Sequence, residues 1–478
     1  MMALKEERGE ENHHVLLVAF SAQGHLNPML RLGKRLLSKG LHVTLATTED
    51  VRHLMLKSSS AAAHSVTGIT LDFFSDGLPL DFDRNKNIDA YVHSLRNFGP
   101  TNLSHLIRRR FLLVPHKLSC IIANPFVPWV AAVAAQHHIP AALLWIQPCT
   151  LYALYYRFYN NLNQFPTPSN PNMDVELPGL PLFRTEDLPS FVLPSTPHLS
   201  VSELLSDLFE NMGKYKWVLA NSFQELENDA IESMSGLRPV APVGPLVPET
   251  LLGEKEKNGH NGIELWKPED GCLEWLSRHQ QSTVVYVSFG SITELSAKQM
   301  ENVATALKNS NRPFLWVVKP SRHPSPGRAG ELPRVLVEGS EGRGLVVEWC
   351  PQAEVLAHPA VACFVTHCGW NSTLEAVAAG VPVVAYPQWS DQPTNAKVLV
   401  DGLGVGVRLR PDRDGVVGSE ELERCVEEIM GGERAAVYRK KAEELKEATQ
   451  RAVAGGGSSD KNIQLFVDGI MGKLCSSV

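Results

Sequence analysis

Two stretches of the sequence carry side chains whose types and spacing could do chemistry. The first is SAQGH (21–25), which follows the apolar run HVLLVAF (14–20) and opens a pattern with Leu26, Leu30, Gly33 and Leu37 at helical spacing. A turn joining a strand to a helix at the C-terminal edge of a parallel sheet is where α/β proteins bind ligands. Imidazole titrates near neutrality, so His25 at that turn can act as a general base. On position alone, a histidine satisfied within its own loop is an equal alternative.

The second stretch runs for 44 residues, from Trp349 to Gln392: WCPQAEVLAHPAVACFVTHCGWNSTLEAVAAGVPVVAYPQWSDQ. Within it THCGWNS ends an apolar run and starts a helical pattern, so unpaired backbone N–H groups and the helix dipole make an anion site suited to a diphosphate. Trp349, at the end of the preceding strand, offers a flat face for a base. Glu375, one helical turn in, can accept hydrogen bonds from ribose hydroxyls, and Asp391 and Gln392, in a third turn, can bind a polyhydroxylated sugar. Taken singly these are ordinary caps and core aromatics. Three successive strand-to-helix turns carrying an aromatic, an anion cradle and paired polar groups point to a nucleotide-sugar site.

These groups need a scaffold of parallel strands. Apolar runs at 14–20, 41–48, 119–123 and 141–146 alternate with helical patterns, one of them at 128–137, and Pro28 is expected in the first turn of the opening helix, which Gly40 ends. A second series has strands at 283–289, 314–319, 344–349, 362–367 and 381–387, with helices at 296–310 and 372–379. The polar, Gly- and Pro-punctuated stretch 245–269 reads as the linker between the two series. The tail carries helices at 419–430, 433–453 and 460–473, with Gly455–Gly457 as a turn. The Pro-, Asn- and Ser-rich region 160–200 is expected to pass over the sheet edge and shape a substrate pocket, together with loops at 72–95, 145–160 and 180–195. The fold class is α/β: two Rossmann-like domains with parallel sheets.

Composition narrows the function. With 478 residues, 44% hydrophobic and 20% charged, the chain can bury large cores. Its net charge of −7 supplies no field for nucleic acid, and Arg108, Arg109 and Arg110 read as a solvated helix face. The N-terminus MMALKEERGEENHH lacks the apolar core of a signal peptide, and no apolar run is long enough to span a membrane. A cytoplasmic monomer is expected. The eight cysteines lie mostly among apolar residues, as small hydrophobes in a reducing compartment. Cys363, His367 and Cys368 lack a second ligand pair, so no metal site is expected.

The segment Trp349–Gln392 resembles the signature of the plant secondary-product glycosyltransferases of glycosyltransferase family 1, and the whole chain has that family's length and layout. The resemblance implies a GT-B fold of two facing domains: 1–247 for the acceptor, a linker at 248–268, 269–456 for the donor, and a last helix in 457–478 returning to the N-terminal domain. It implies that Trp349 stacks on uracil, that Gln352 contacts the uridine, and that His367, Trp370, Asn371 and Ser372 hold the diphosphate. Gly369 and Trp389 complete the donor set. Glu375 is implied to hold the ribose, Asp391 and Gln392 the hexose, with Gln392 as in glucose-preferring members, and Ser291 in VSFGS a further phosphate contact. His25 matches the catalytic base in its GH-x-NP context. The implied chemistry is inverting transfer of a sugar from a UDP-sugar, with no metal or other cofactor; helix-start donors and His367 would stabilise the departing UDP.

One departure matters. Many members carry an Asp about a hundred residues after the histidine, where IIANPFVPW places Asn124. An amide can hold an imidazole tautomer, but it does not stabilise an imidazolium as a carboxylate does. That matters little when the acceptor is a carboxylic acid, already ionised at neutral pH. The chain also resembles the subgroup that forms glucose esters of hydroxycinnamic and hydroxybenzoic acids, through NPF-x-PW, LWIQPC (144–149) and DFFSDGLP (72–79). The partners expected are therefore UDP-glucose and a small aromatic acid. Flavonoid-type phenols, glucosylated on oxygen or carbon, are the alternative acceptors. A non-catalytic UDP-sugar binder is the alternative class, which retention of His25 disfavours and turnover of UDP-glucose would exclude. GLGVGV (402–407) follows a helix and precedes a strand, the reverse of a dinucleotide fingerprint.

Overall fold

Strict alternation along the first strand decides how the N-terminal sheet is covered. Val15 and Leu17 enter one hydrophobic core and Leu16 and Val18 another, all four fully buried, so helices must lie on both faces. The same holds later, where Val284 and Tyr286 face one core and Val285 and Val287 the other.

The structure is a computed structural model and describes residues 13–58, 65–66, 68–84, 86–112, 117–197, 199–253, 263, 271–290, 293, 295–318 and 342–473. Ser291, the N-terminal stretch 1–12 and most of the 248–268 linker lie outside the described residues.

The first series comprises β1 (His13–Val18), α1 (Gln23–Ser38), β2 (His42–Thr48), α2 (Glu49–Ser58), β3 (Ser65–Val66), β4 (Ile69–Phe74), α3 (Ile88–Ile107), β5 (Lys117–Ala123), α4 (Val130–Gln136), β6 (Ala141–Trp145), α5 (Cys149–Tyr159), α6 (Leu199–Glu210), β7 (Trp217–Ala220), α7 (Gln224–Ser233) and β8 (Ala241–Pro242). The second comprises α8 (Cys272–Leu276), β9 (Val284–Ser288), α9 (Ala297–Asn309), β10 (Phe314–Val317), β11 (Gly344–Val347), α10 (Gln352–Ala357), β12 (Val361–Thr366), α11 (Trp370–Ala379), β13 (Val383–Ala385), α12 (Gln392–Lys397), β14 (Gly406–Arg408), α13 (Ser419–Met430), α14 (Ala435–Val453) and α15 (Ser458–Ile470).

One sheet has the order β3-β4-β2-β1-β5-β6-β7-β8, parallel except for β3. The other has the order β11-β10-β9-β12-β13-β14, parallel throughout. The final helix α15 leaves the second series and packs Ile463, Phe466 and Val467 into the core beneath β1 and β2. Each such buried side chain contributes roughly 1.5–3 kcal/mol.

Two expectations need correction. Pro28 sits six residues into α1, not in its first turn, because the helix begins at Gln23. Residues 88–95 and 149–159 are no loops: the first begin α3, with Tyr91 and Leu95 buried, and the second form α5, whose Tyr152 and Tyr155 are fully buried. Its N-terminus is satisfied from a distance. The buried Glu227 carboxylate accepts from the backbone N–H groups of Cys149 (2.8 Å) and Thr150 (2.9 Å), from the Thr150 hydroxyl (2.7 Å) and from the Ser222 hydroxyl (2.6 Å). A carboxylate at that end also meets the positive pole of the helix dipole.

Candidate active site

In the first sheet the strand order reverses direction between β1 and β5, and a parallel sheet binds ligands at the C-terminal ends of such a pair. Val18 pairs with Ala123 at those ends. His25 lies in the first turn of α1 after β1, Asn124 directly after β5, and the His25 Nδ1 is 3.0 Å from the Asn124 Oδ1. The Phe126 N–H donates to the same Oδ1 at 3.1 Å, which fixes that atom as an acceptor. Nδ1 therefore carries the proton and donates, leaving the Nε2 lone pair as the basic site. Phe20 and Phe126 pack against the imidazole, with ring centroids 5.1 Å and 4.5 Å away. Burial lowers the His25 pKa to about 4, against the raising effect of the Asn124 hydrogen bond. The imidazole is neutral at pH 7.

The second sheet reverses between β9 and β12, whose ends Ser288 and Thr366 are paired. His367 sits there between two glycines. A Cβ at Gly290 or at Gly369 would come within 2.5 Å of the His367 Nε2, and Gly290 also has a φ of +76°. Only glycine lets both turns close on the ring. Burial pulls the His367 pKa down to about 4, so the ring is neutral at pH 7. It can help an anion by donating a hydrogen bond, but carries no positive charge to the expected phosphate position.

Gly369 precedes α11, whose first turn presents Trp370, Asn371 and Ser372. The Gln352 Nε2 donates to the Ser372 Oγ at 3.0 Å and to the Glu375 Oε2 at 2.8 Å, while its Oε1 accepts from the Tyr286 hydroxyl at 3.1 Å. Both ends of the Gln352 side chain thus work within the protein, aligning the residues expected at ribose and phosphate. Trp349 lies two residues beyond β11, partly buried. In the third turn, Asp391 precedes α12 and accepts from the Asn395 Nδ2 at 2.8 Å. The Gln392 Oε1 accepts from the backbone N–H groups of Gln388 (2.9 Å) and Trp389 (3.3 Å), and Trp389 stands edge-on to Phe191 at 6.3 Å. Two of these turns hold a non-glycine residue in the left-handed region, Cys368 at φ 63° and Ser390 at φ 62°. Such strain of about 1–3 kcal/mol is typical of functional turns.

The family model described as UDP-glucoronosyl and UDP-glucosyl transferase matches residues 267–447. UDP-glycosyltransferase 84B2 of Arabidopsis thaliana is 47% identical over 456 residues, covering 95% of this chain and 99% of that protein. The chain belongs to the plant UDP-glycosyltransferase family. Gallate 1-beta-glucosyltransferase 84A24 of Punica granatum is 43% identical over 461 residues, covering 95% of this chain and 88% of that protein. The crystal structure of Os79 from O. sativa in complex with UDP matches with a TM-score of 0.84 at 33% identity, over 95% of this chain and 100% of that one. The transferase has the GT-B fold.

Several contacts of the transferase's site escaped sequence reasoning because they cross between the two series. Gln147, beyond β6, hydrogen-bonds Asp391, whose pKa is raised by burial and lowered again in part by this and neighbouring hydrogen bonds. The region 185–192, expected to pass over the first sheet, also docks on the second unit. Ser190 N–H donates to the Ser390 carbonyl and Ser390 N–H to the Ser190 hydroxyl, each at 2.9 Å. Asp187 pairs with Arg408 at 2.7 Å and Lys397 at 3.1 Å. The Trp370 indole N–H donates to the Asn221 carbonyl at 2.7 Å, so the group that Trp370 can offer to the expected diphosphate is its backbone N–H at the start of α11. Cys363 and Cys368 are buried, and burial pushes both thiols up to about 12, so they stay protonated. The arginines at 108–110 are exposed, and Arg110 pairs with the buried Asp72 at 2.7 Å. Among the described residues no helix is long and apolar enough to cross a membrane.

Proposed function

We propose that the transferase moves glucose from UDP-glucose to the carboxylate of a small aromatic acid, with inversion, giving a 1-O-acyl-β-glucose. In this reading residues 269–456 hold the donor, residues 1–247 take the acceptor, and the enzyme works as a cytoplasmic monomer. A carboxylate oxygen attacks the anomeric carbon from the face opposite UDP as the bond from that carbon to the diphosphate breaks, and the bonding electrons leave with UDP. Helix-start N–H groups of α11 and the neutral His367 face the developing charge.

The observation that carries the acceptor choice is the His25–Asn124 pair. An imidazole whose conjugate acid has a pKa of about 4 matches a carboxylic acid, with pKa near 4, and is weaker by roughly six orders of magnitude than a phenolate, with phenol near 10. An acid that arrives with its proton can lose it to Nε2 at little cost; a phenol gives its proton to the same atom only against a large pKa difference, as its oxygen bonds to the anomeric carbon. The likeness to gallate 1-beta-glucosyltransferases supports the same choice. The test is a panel of acids and phenols with UDP-glucose, followed by mild alkali, which hydrolyses an acyl glucose and spares a phenolic glucoside. Poor turnover of benzoate- and cinnamate-type acids beside flavonoid phenols would reject the reading.

The same pair sets a pH profile. His25 is a base only when neutral, which holds above its depressed pKa of about 4. The kcat/KM for a phenolic acceptor, which must lose its proton in the site, should therefore stay level from pH 8 to about 5, without the inflection near 6.5 of an ordinary histidine. Dialysis against a chelator should leave the rate intact, because the phosphate position is served by helix-start N–H groups and neutral side chains. A large loss restored by magnesium would contradict this.

A further inference from the structure

The proline of the GH-x-NP sequence has a consequence outside its own helix. In α1 the carbonyl of Gly24 would ordinarily accept from the backbone N–H of residue 28, four positions on, but Pro28 has none. That carbonyl accepts instead from the Asn371 Nδ2, at 2.9 Å, across the interface between the two units. Gly24 suits the approach, since a Cβ there would lie 3.3 Å from the same nitrogen. Two helical turns further along α1, Arg31, its side chain 10% exposed, donates to the Leu246 carbonyl at 3.0 Å and stands 3.6 Å from Glu375. Asn371 and Glu375 are one turn apart on α11. The contacts lie about 10 Å apart along α1 at 1.5 Å per residue, so together they fix both the distance and the rotation between the helices. The Trp370 indole bond to the Asn221 carbonyl adds a third point off that line.

We propose that α1 and α11 form a latch, in which Pro28 and Arg31 are positioning residues that hold the catalytic histidine in register with the donor cradle. His25 is the residue next to Gly24, and Asn371 and Glu375 are residues assigned above to diphosphate and ribose. A shift of α11 on donor binding is thereby transmitted to the turn that carries the base. The latch rests on the proposed donor and base assignments, so its test must separate the two.

The test uses the full-length enzyme with UDP affinity measured by calorimetry and kcat measured at saturating UDP-glucose with one aromatic acid. Pro28→Ala supplies the missing N–H, which competes with Asn371 for the Gly24 carbonyl, while improving helix propensity. It should keep or raise the melting temperature and yet lower kcat about tenfold, since small misplacements of a catalytic group have effects of that order. Arg31→Leu should lower kcat similarly and weaken UDP about tenfold, and Arg31→Lys should recover most of the kcat. A stability role alone would not give a protein that is at least as stable and slower. An unchanged kcat in Pro28→Ala, with Glu375→Ala still weakening UDP, overturns the latch alone. Unchanged UDP affinity in Glu375→Ala overturns the donor assignment, and the latch with it.

Discussion

Replacing His25 by alanine is expected to slow transfer to phenols by about 10²–10⁴-fold and transfer to aromatic carboxylates far less. The phenol must lose its proton in the site, whereas the acid is ionised in solution or gives up a proton of matching pKa. Parallel kcat measurements on one phenol and one benzoate-type acid check the difference. Equal losses on both would mean that the imidazole orients the acceptor, or the donor, irrespective of its proton. Asn124→Asp is the complementary change. The Asn124 Nδ2 is buried without a hydrogen-bond partner, so exchanging it for oxygen removes no existing bond. A carboxylate 3.0 Å from the His25 Nδ1 would raise the imidazole pKa and strengthen the base, so phenol turnover should rise relative to acid turnover.

The second large effect concerns stability. Glu227→Ala removes the acceptor of four hydrogen bonds from a buried site, leaving two backbone and two hydroxyl donors to be satisfied some other way. Each orphaned buried donor costs about 1–3 kcal/mol, with partial relaxation. A loss of about 3–6 kcal/mol is expected, read from the denaturation midpoint. Glu227→Gln should fall between, since it keeps an oxygen and loses the charge facing the helix dipole. A loss under 1 kcal/mol for the alanine variant would show that water replaces the carboxylate.

The pairing of His25 with Asn124 was expected only through the family resemblance; its physical reason is structural, since β1 and β5 are adjacent and parallel and the turns after them meet. The start of α11 was legible from the residues themselves, because THCGWNS ends an apolar run and opens a helical pattern. What was not legible depended on partners remote in the chain. CTLYALYYRFY shows no polar face because α5 is buried on nearly every side, and its cap is a glutamate 77–78 residues away rather than a local Ser or Asp, so the usual helix-start signal is missing. Pro28 misled because proline is commonest at a helix start; here the start is set by the Ala22 carbonyl, which accepts from the N–H groups of His25 and Leu26 at 2.8 Å and 3.0 Å. The docking of Asp187 on Arg408 and Lys397 left no mark on the local pattern, since a charged residue in a polar loop reads as solvated.

The return of α15 to the first sheet bears on how the chain is made. The core beneath β1 and β2 is closed by Ile463, Phe466 and Val467, and Trp217 packs edge-on to Phe466 at 5.3 Å. Translation proceeds at roughly 5–20 residues per second, so β1 to β8 leave the ribosome some tens of seconds before the helix that covers them. Throughout that interval the nascent N-terminal half exposes an apolar groove, and its folding can be completed only after the second unit has been synthesised. Chaperone demand should therefore peak midway through translation, and a stop codon just before Ser458 should yield a chain that aggregates although both sheets are encoded in full.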